Sequence, residues 1–206
     1  MRIRSLWFGF QVLLVGVGLA AGLGCAGSSP AKFYTLSPVA TTGEVKSEKG
    51  TAGQALAVGI GPVRLPQYLA RKEIVTRTDA NQIDLAEYDH WGGSLQDDFS
   101  RNLMENLSLL LAGDRVSLFP WPAMAALDYR VGVNVMRFDG NRGGDVVLIA
   151  NWTIREGQGL KVVRVQNTRI QEPSGGQGYE AMVGGMSRAL GRLSREIGEA
   201  IKALPR

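Results

Sequence analysis

Cysteine and histidine occur only once each in the 206 residues. A single thiol excludes an internal disulfide and any multi-cysteine zinc or iron–sulfur centre; a single imidazole excludes every multi-histidine metal site. No cofactor is expected. Charge is sparse too, at 20% of residues with a formal net of +4. Residues 1–24 hold Arg2 and Arg4 and no acid; taking these from the 23 basic residues leaves 21 against 19 acidic ones, a net of +2. That balance offers no clustered basic face for phosphates, so no nucleic-acid partner is expected. Aromatics at 7%, a hydrophobic content of 45% and 27 glycines describe neither a coiled coil nor a disordered chain. The length suits one domain.

What the chain does have is an uneven start. Arg2 and Arg4 precede twenty uncharged residues, Ser5 to Gly24, and then the lone Cys25. A short basic start, an apolar stretch and small residues before a cleavage point describe a secretory signal peptide, here residues 1–24. Twenty uncharged residues could also span a bilayer as an uncleaved anchor, although Gly9, Gly16, Gly18, Gly22 and Gly24 weaken such a helix. A third alternative is an incidental buried cysteine. The thiol after Gly24 and before Ala-Gly-Ser-Ser-Pro resembles the bacterial lipoprotein signal, in which the cysteine is acylated and becomes the first mature residue. Gly22 stands where that class usually has Leu, and Leu23 is one place late. Each buried acyl CH₂ contributes about 0.8 kcal/mol, so several chains anchor stably. In the same class Asp after the cysteine favours inner-membrane retention; Ala26 there points to the outer membrane.

Residues 25–31 form a short tether, and residues 32–206 form the domain. Lys32–Pro38 has strand-type residues, and Val39–Gly53 is polar and reads as a surface linker. Ala55–Leu65 is an apolar run of buried-strand type, with a short helical turn over Pro66–Arg71. Ile74–Arg77 and Ile83–Glu87 flank a turn. Ser94–Leu111 is an amphipathic helix with Ser94 and Asp97 as a capping pair. Val116–Phe119 is a brief strand. Three alternating strands follow, over Tyr129–Val135, Val146–Ile154 and Val162–Ile170, joined by short turns as an antiparallel meander. The last helix, Tyr179–Leu204, carries one apolar stripe from Tyr179 through Met182, Met186, Leu190, Leu193 and Ile197. The expected fold is a compact layered α/β domain, a mixed or antiparallel sheet packed by two long amphipathic helices.

No catalytic constellation emerges. Gly59-Ile60-Gly61 follows a strand, but Arg64 stands where a dinucleotide loop needs its third glycine, and Pro62 would break the following helix. Asp89 and His90 are chain neighbours with no nucleophile-elbow serine, so His90 reads as a loop histidine beside Trp91. Asp97 and Asp98 complement a helix dipole. Arg188, Arg192 and Arg195 read as a solvated face with Glu196 and Glu199; Met182 and Met186 read as core filling. The segment Arg64–Arg71 differs: Leu65, Tyr68 and Leu69 lie between arginines, with Pro66 stiffening the turn, and Tyr with Arg is the composition of interface hot spots. Arg64, Leu65, Tyr68 and Arg71, with Trp91 beside them, are the candidate partner-binding residues, Tyr68 and Arg71 facing outward. The alternative is that Leu65 and Leu69 tuck under the sheet and Tyr68 caps the core.

Several stretches together resemble one family: FYTL (Phe33–Leu36), VGIGPVRLPQYLARKEIVTR (Val58–Arg77), AEYDHWGGSLQDDFSRNLMENLSLLL (Ala86–Leu111), RVSLFPW (Arg115–Trp121), DYRVGVNVMRFDG (Asp128–Gly140) and GYEAMVGGMSRALGRLSREIGEAI (Gly178–Ile201). They are similar to the ABC-type transport auxiliary lipoproteins of the PqiC (YmbA) type. The resemblance implies a compact α/β domain and a Gram-negative envelope lipoprotein that faces the periplasm. It implies work with membrane-bound MCE-domain proteins and permease partners in lipid trafficking, and no catalytic residues; the Arg64–Arg71 segment is expected to contact such a partner or a second copy of this chain. A periplasmic carrier with its own apolar cavity is the alternative. An envelope hydrolase would need a nucleophile–base pair that the sequence lacks.

Overall fold

A computed structural model describes residues 30–39, 55–122, 126–159 and 161–205. Cys25, the signal-like segment and nearly all of the expected linker lie outside them. The described residues form eight strands, two α-helices and one 3₁₀ turn: β1 (Lys32–Tyr34), β2 (Ala57–Arg64), the turn Gln67–Leu69, β3 (Glu73–Asp79), β4 (Gln82–Trp91), α1 (Leu95–Leu110), β5 (Arg115–Leu118), β6 (Tyr129–Gly140), β7 (Asp145–Glu156), β8 (Val162–Pro173) and α2 (Tyr179–Lys202). All eight strands join one mixed sheet. The expected layered α/β architecture is the one observed.

Strand β6 organises the sheet. Along one edge it pairs antiparallel with β7, which pairs with β8, giving the expected meander. The other edge is shared: β2 runs parallel to Tyr129–Asn134, and β3 meets the far end where Thr76 lies opposite Gly140. Parallel β5 extends the sheet beyond β2, while hairpin partner β4 and then parallel β1 extend it beyond β3. Val131, Val133 and Val135 of β6 and Leu148, Ala150, Trp152 and Ile154 of β7 are buried in the core that α1 and α2 complete. Phe99 of α1 meets Phe138 of β6 edge to face, with ring centroids 5.3 Å apart. The Gly59-Ile60-Gly61 motif has a packing role. A Cβ at Gly59 would lie 2.7 Å from Leu127 and 3.1 Å from the Trp121 ring, so the glycine admits the segment that covers β2.

Both helices start and face as the periodicity requires. Ser94 Oγ accepts a hydrogen bond from Asp97 N at 3.3 Å, capping α1. Met182, Met186, Leu190, Leu193, Ile197 and Ile201 are all buried along α2. The charged face of α2 pairs differently from expectation. Arg192 bonds Glu172 of β8 at 2.9 Å and Arg188 reaches the carbonyl of Ser174 at 3.2 Å, whereas Glu196 accepts from Thr168 at 2.7 Å. These are contacts across to β8 and the residue that follows it, which spacing along one helix cannot reveal. His90 is also relocated: β4 runs to Trp91 because β1, far away in sequence, pairs alongside it. His90 thus lies opposite Phe33 in a strand instead of in a loop.

A polar seam crosses the helical layer. After β1 the chain passes between α1 and α2, and Leu36 is buried there. Its N–H donates to Asp98 Oδ2 at 2.6 Å, its carbonyl accepts from Asn102 Nδ2 at 3.4 Å, and Ser37 N donates to Ser187 Oγ at 3.1 Å. One turn further along α1, Asn106 donates to Ser194 of α2 at 3.2 Å. Asp98 is therefore more than a dipole partner, because it satisfies a buried main-chain donor. Asp98→Ala leaves that donor without a partner and is expected to cost about 1–3 kcal/mol. Thermal denaturation should show the loss, and hydrogen exchange should show the Leu36 amide losing protection first. An unchanged Leu36 exchange rate would contradict this role.

Candidate functional site: a braced loop and its groove

The segment that joins β2 to β3 is built from its own turn chemistry. Pro66 opens the 3₁₀ turn, closed by Leu69 N to Pro66 O and Ala70 N to Gln67 O, both at 3.0 Å. Leu69 is buried, and Leu65 and Tyr68 pack partly buried against the core. The Tyr68 hydroxyl points inward and donates to Asp139 Oδ2 at 2.6 Å.

Asp139 has no exposed side-chain surface, yet three donors converge on it. Besides Tyr68, Arg77 of β3 donates through Nη2 at 3.0 Å and Nε at 3.2 Å, and Arg137 donates through Nε at 2.8 Å. Burial alone would push the carboxyl pKa up; the hydrogen bonds from Arg77, Tyr68 and Arg137 overcome this and hold it below the usual carboxylate range. Burial, reinforced by Asp139, pushes the Tyr68 phenol up to about 12, so it remains a donor. Bonding to Asp139 also raises the Arg77 guanidinium, against the opposing effect of its own burial. The cluster fastens the β2–β3 loop to β3 and β6.

A groove of about 550 Å³ opens between this loop and the junction of β4 with α1. Leu65 and Leu69 form one side; Trp91 and Leu95 form the other, and Arg71 and Lys72 are exposed at its mouth. Its lining residues include those two cations and no carboxylate. Beyond the shared Gln96 lies a second depression of about 530 Å³, with Met104 and Phe119 among its lining.

Of the five sequence-selected residues, the structure gathers Leu65, Arg71 and Trp91 into the groove. Arg64 is exposed at the end of β2, outside that lining. Two placements differ from expectation. Tyr68 faces Asp139, because its phenol is the neutral donor that a buried carboxylate needs. Trp91 is only 5% exposed, because β1 and α1 close over the end of β4. Sequence reasoning missed Lys72, Leu95, Gln96 and the whole Asp139 cluster. The one available signal was an Asp set between Phe138 and Gly140 at the end of a strand whose other charged residues are arginines.

The sequence model for the family described as ABC-type transport auxiliary lipoprotein component matches residues 34–198. The chain belongs to this family. The match spans the braced loop, Asp139, all of α1 and α2 as far as Gly198. Among the relatives, the intermembrane transport lipoprotein PqiC of Escherichia coli (strain K12) is 26% identical over 185 residues, covering 88% of this chain and 92% of its own. PqiC of Shigella flexneri matches to the same extent. A crystal structure of an uncharacterized protein shares the fold with a TM-score of 0.66 at 21% identity, over 84% of this chain and 99% of its own. A Xanthomonas campestris protein does so with a TM-score of 0.59 at 13% identity, over 81% and 92%. The family and the PqiC relatives are named as transport lipoproteins, not as enzymes.

Removing the buried carboxylate in Asp139→Ala strands two guanidinium groups and a phenol, with an expected cost of about 3–5 kcal/mol. Tyr68→Phe, which keeps the ring and all three arginine bonds, should cost about 1.5–3 kcal/mol. The pH dependence follows from the directions of the shifts. The Asp139 contribution is complete above the unfolded carboxylate value of about 3.9 and is lost as pH falls through the lower folded value. The Tyr68 contribution is complete below about pH 10 and is lost as pH rises towards about 12. Melting temperatures across pH should fall at both ends; Asp139→Asn should flatten the acid limb, and an acid limb as steep as wild type would remove Asp139 as its source.

Proposed function

We propose that the protein is a non-enzymatic subunit of a lipid-transport system in the cell envelope, anchored by acylated Cys25 and facing the periplasm from the outer membrane. It acts by contact with a membrane-bound MCE-domain protein and its permease partner. The match to the ABC-type transport auxiliary lipoprotein component family across residues 34–198 carries this reading, and the name of the PqiC relatives supports it. The anchor holds the domain at a membrane surface and so raises its effective concentration for a partner there. The contact centres on the β2–β3 loop, with Arg64 and Arg71 as its exposed members. Tyr68 acts from behind as a brace: a loop fixed before binding loses little entropy when it docks.

Two experiments test the reading. Cys25→Ser should release the protein from the detergent-requiring membrane fraction or stall it uncleaved. Intact mass should show a diacylglyceryl-type addition on a mature chain beginning at Cys25, and an unmodified thiol would refute the anchor. Affinity purification from detergent-solubilised membranes should recover the MCE-domain protein with the wild type and lose most of it with Arg64→Glu/Arg71→Glu, the melting temperature staying within a few degrees. A double variant that folds and still recovers the partner would place the contact elsewhere.

A further inference from the structure

The groove between the β2–β3 loop and the start of α1 has a chemistry of its own. Leu65 and Pro66, half-buried, and Ala70, exposed, give it an apolar wall, with Leu69, Trp91 and Leu95 buried beneath. Arg71 and Lys72 stand at its mouth, exposed, and among the described residues make no ion pair or side-chain hydrogen bond. An occupant that complements both parts has an anionic head beside an apolar body. About 550 Å³ lies within the range of small-molecule sites. Its place along the chain matters equally. Gly92, in the groove wall, donates its N–H to Tyr34 O of β1 at 2.8 Å. Six residues, Ala26–Ala31, separate β1 from Cys25, and they reach at most about 20 Å when extended. An acyl anchor at Cys25 would therefore hold the start of β1, the strand paired with β4, within that reach of the membrane surface.

We propose that the groove binds one anionic phospholipid of the membrane that holds the anchor, its phosphate on Arg71 and Lys72 and its glycerol and first methylenes against Leu65, Pro66 and Ala70. This rests on the lipid-transport reading and adds the ligand class. Binding is to the lipid's polar end and adjoining methylenes, so the tails need not leave the bilayer. Acyl anchoring and headgroup capture then act as two signals that together set how the domain lies on the membrane.

The test uses the mature lipoprotein in phosphatidylcholine nanodiscs, with dihexanoylphosphatidylglycerol added below its micelle concentration and hydrogen exchange read over residues 65–72 and 91–96. At a free lipid concentration of about ten times Kd, exchange through local opening should slow about tenfold in both segments. Dihexanoylphosphatidylcholine should leave it unchanged. Arg71→Glu/Lys72→Glu should abolish the slowing, as should the milder Lys72→Gln in part, while Arg195→Glu on the exposed face of α2 should retain it. Equal protection by phosphatidylcholine would overturn the role of charge. Equal protection by inorganic phosphate would reduce the groove to a simple anion site and overturn the lipid assignment. Protection only by an acidic peptide would also overturn it and make the groove a protein-docking site. The readout is independent of MCE-protein recovery, so the failure of either reading is visible without the other.

Discussion

A buried carboxylate is costly unless its oxygens are occupied, and that requirement organises one end of this domain. Asp139 meets it with donors from three separate stretches of chain: Arg77 on β3, Arg137 on its own strand and Tyr68 on the β2–β3 loop. Each donor is thereby fixed to a shared point. β3 is otherwise joined to β6 by a single residue pairing, so the Arg77 contact reinforces a thin part of the sheet. The same constraint holds the loop in place, and with it one wall of the groove. The Asp139 carboxyl is held below its ordinary range and the Tyr68 phenol and Arg77 guanidinium above theirs, so the brace is insensitive to ordinary pH changes.

The helical layer uses polarity differently. Asp98, Asn102 and Asn106 recur every four residues along α1, and each is buried in an otherwise apolar contact region. An apolar seam could slide; a seam that must satisfy the backbone of Leu36 and the hydroxyl of Ser194 has one register. The small side chains along α2 permit this closeness. A Cβ at Gly191 would lie 3.0 Å from Val39, so the glycine leaves room for the chain leaving β1.

The helices and the meander were legible because their signals are local. The stripe from Met182 to Ile201 repeats at helical spacing, and the meander strands alternate between short turns. The groove was half legible: composition pointed to Leu65, Arg71 and Trp91, but not to the α1 residues opposite them. Asp139 was hidden by a β-bulge. The register of β6 shifts between Val135 and Arg137, so Phe138 takes the face that Val135 occupies and Asp139 falls on the other. Parity counted from Val131 puts both on the wrong side. The long β4 and the strand placement of His90 depend on β1, and parallel pairing between distant segments leaves no local periodicity to read.

The docking of the first strand also orders events in time. Leu36 is held by a residue 62 positions later and Ser37 by one 150 positions later. Synthesis runs from the N-terminus at about 5–20 residues per second, so the partner of Ser37 is made about 8–30 s after Ser37 itself. The seam that receives this segment cannot exist until α2 is complete and packed on α1. The segment that begins the domain is thus among the last to be fixed.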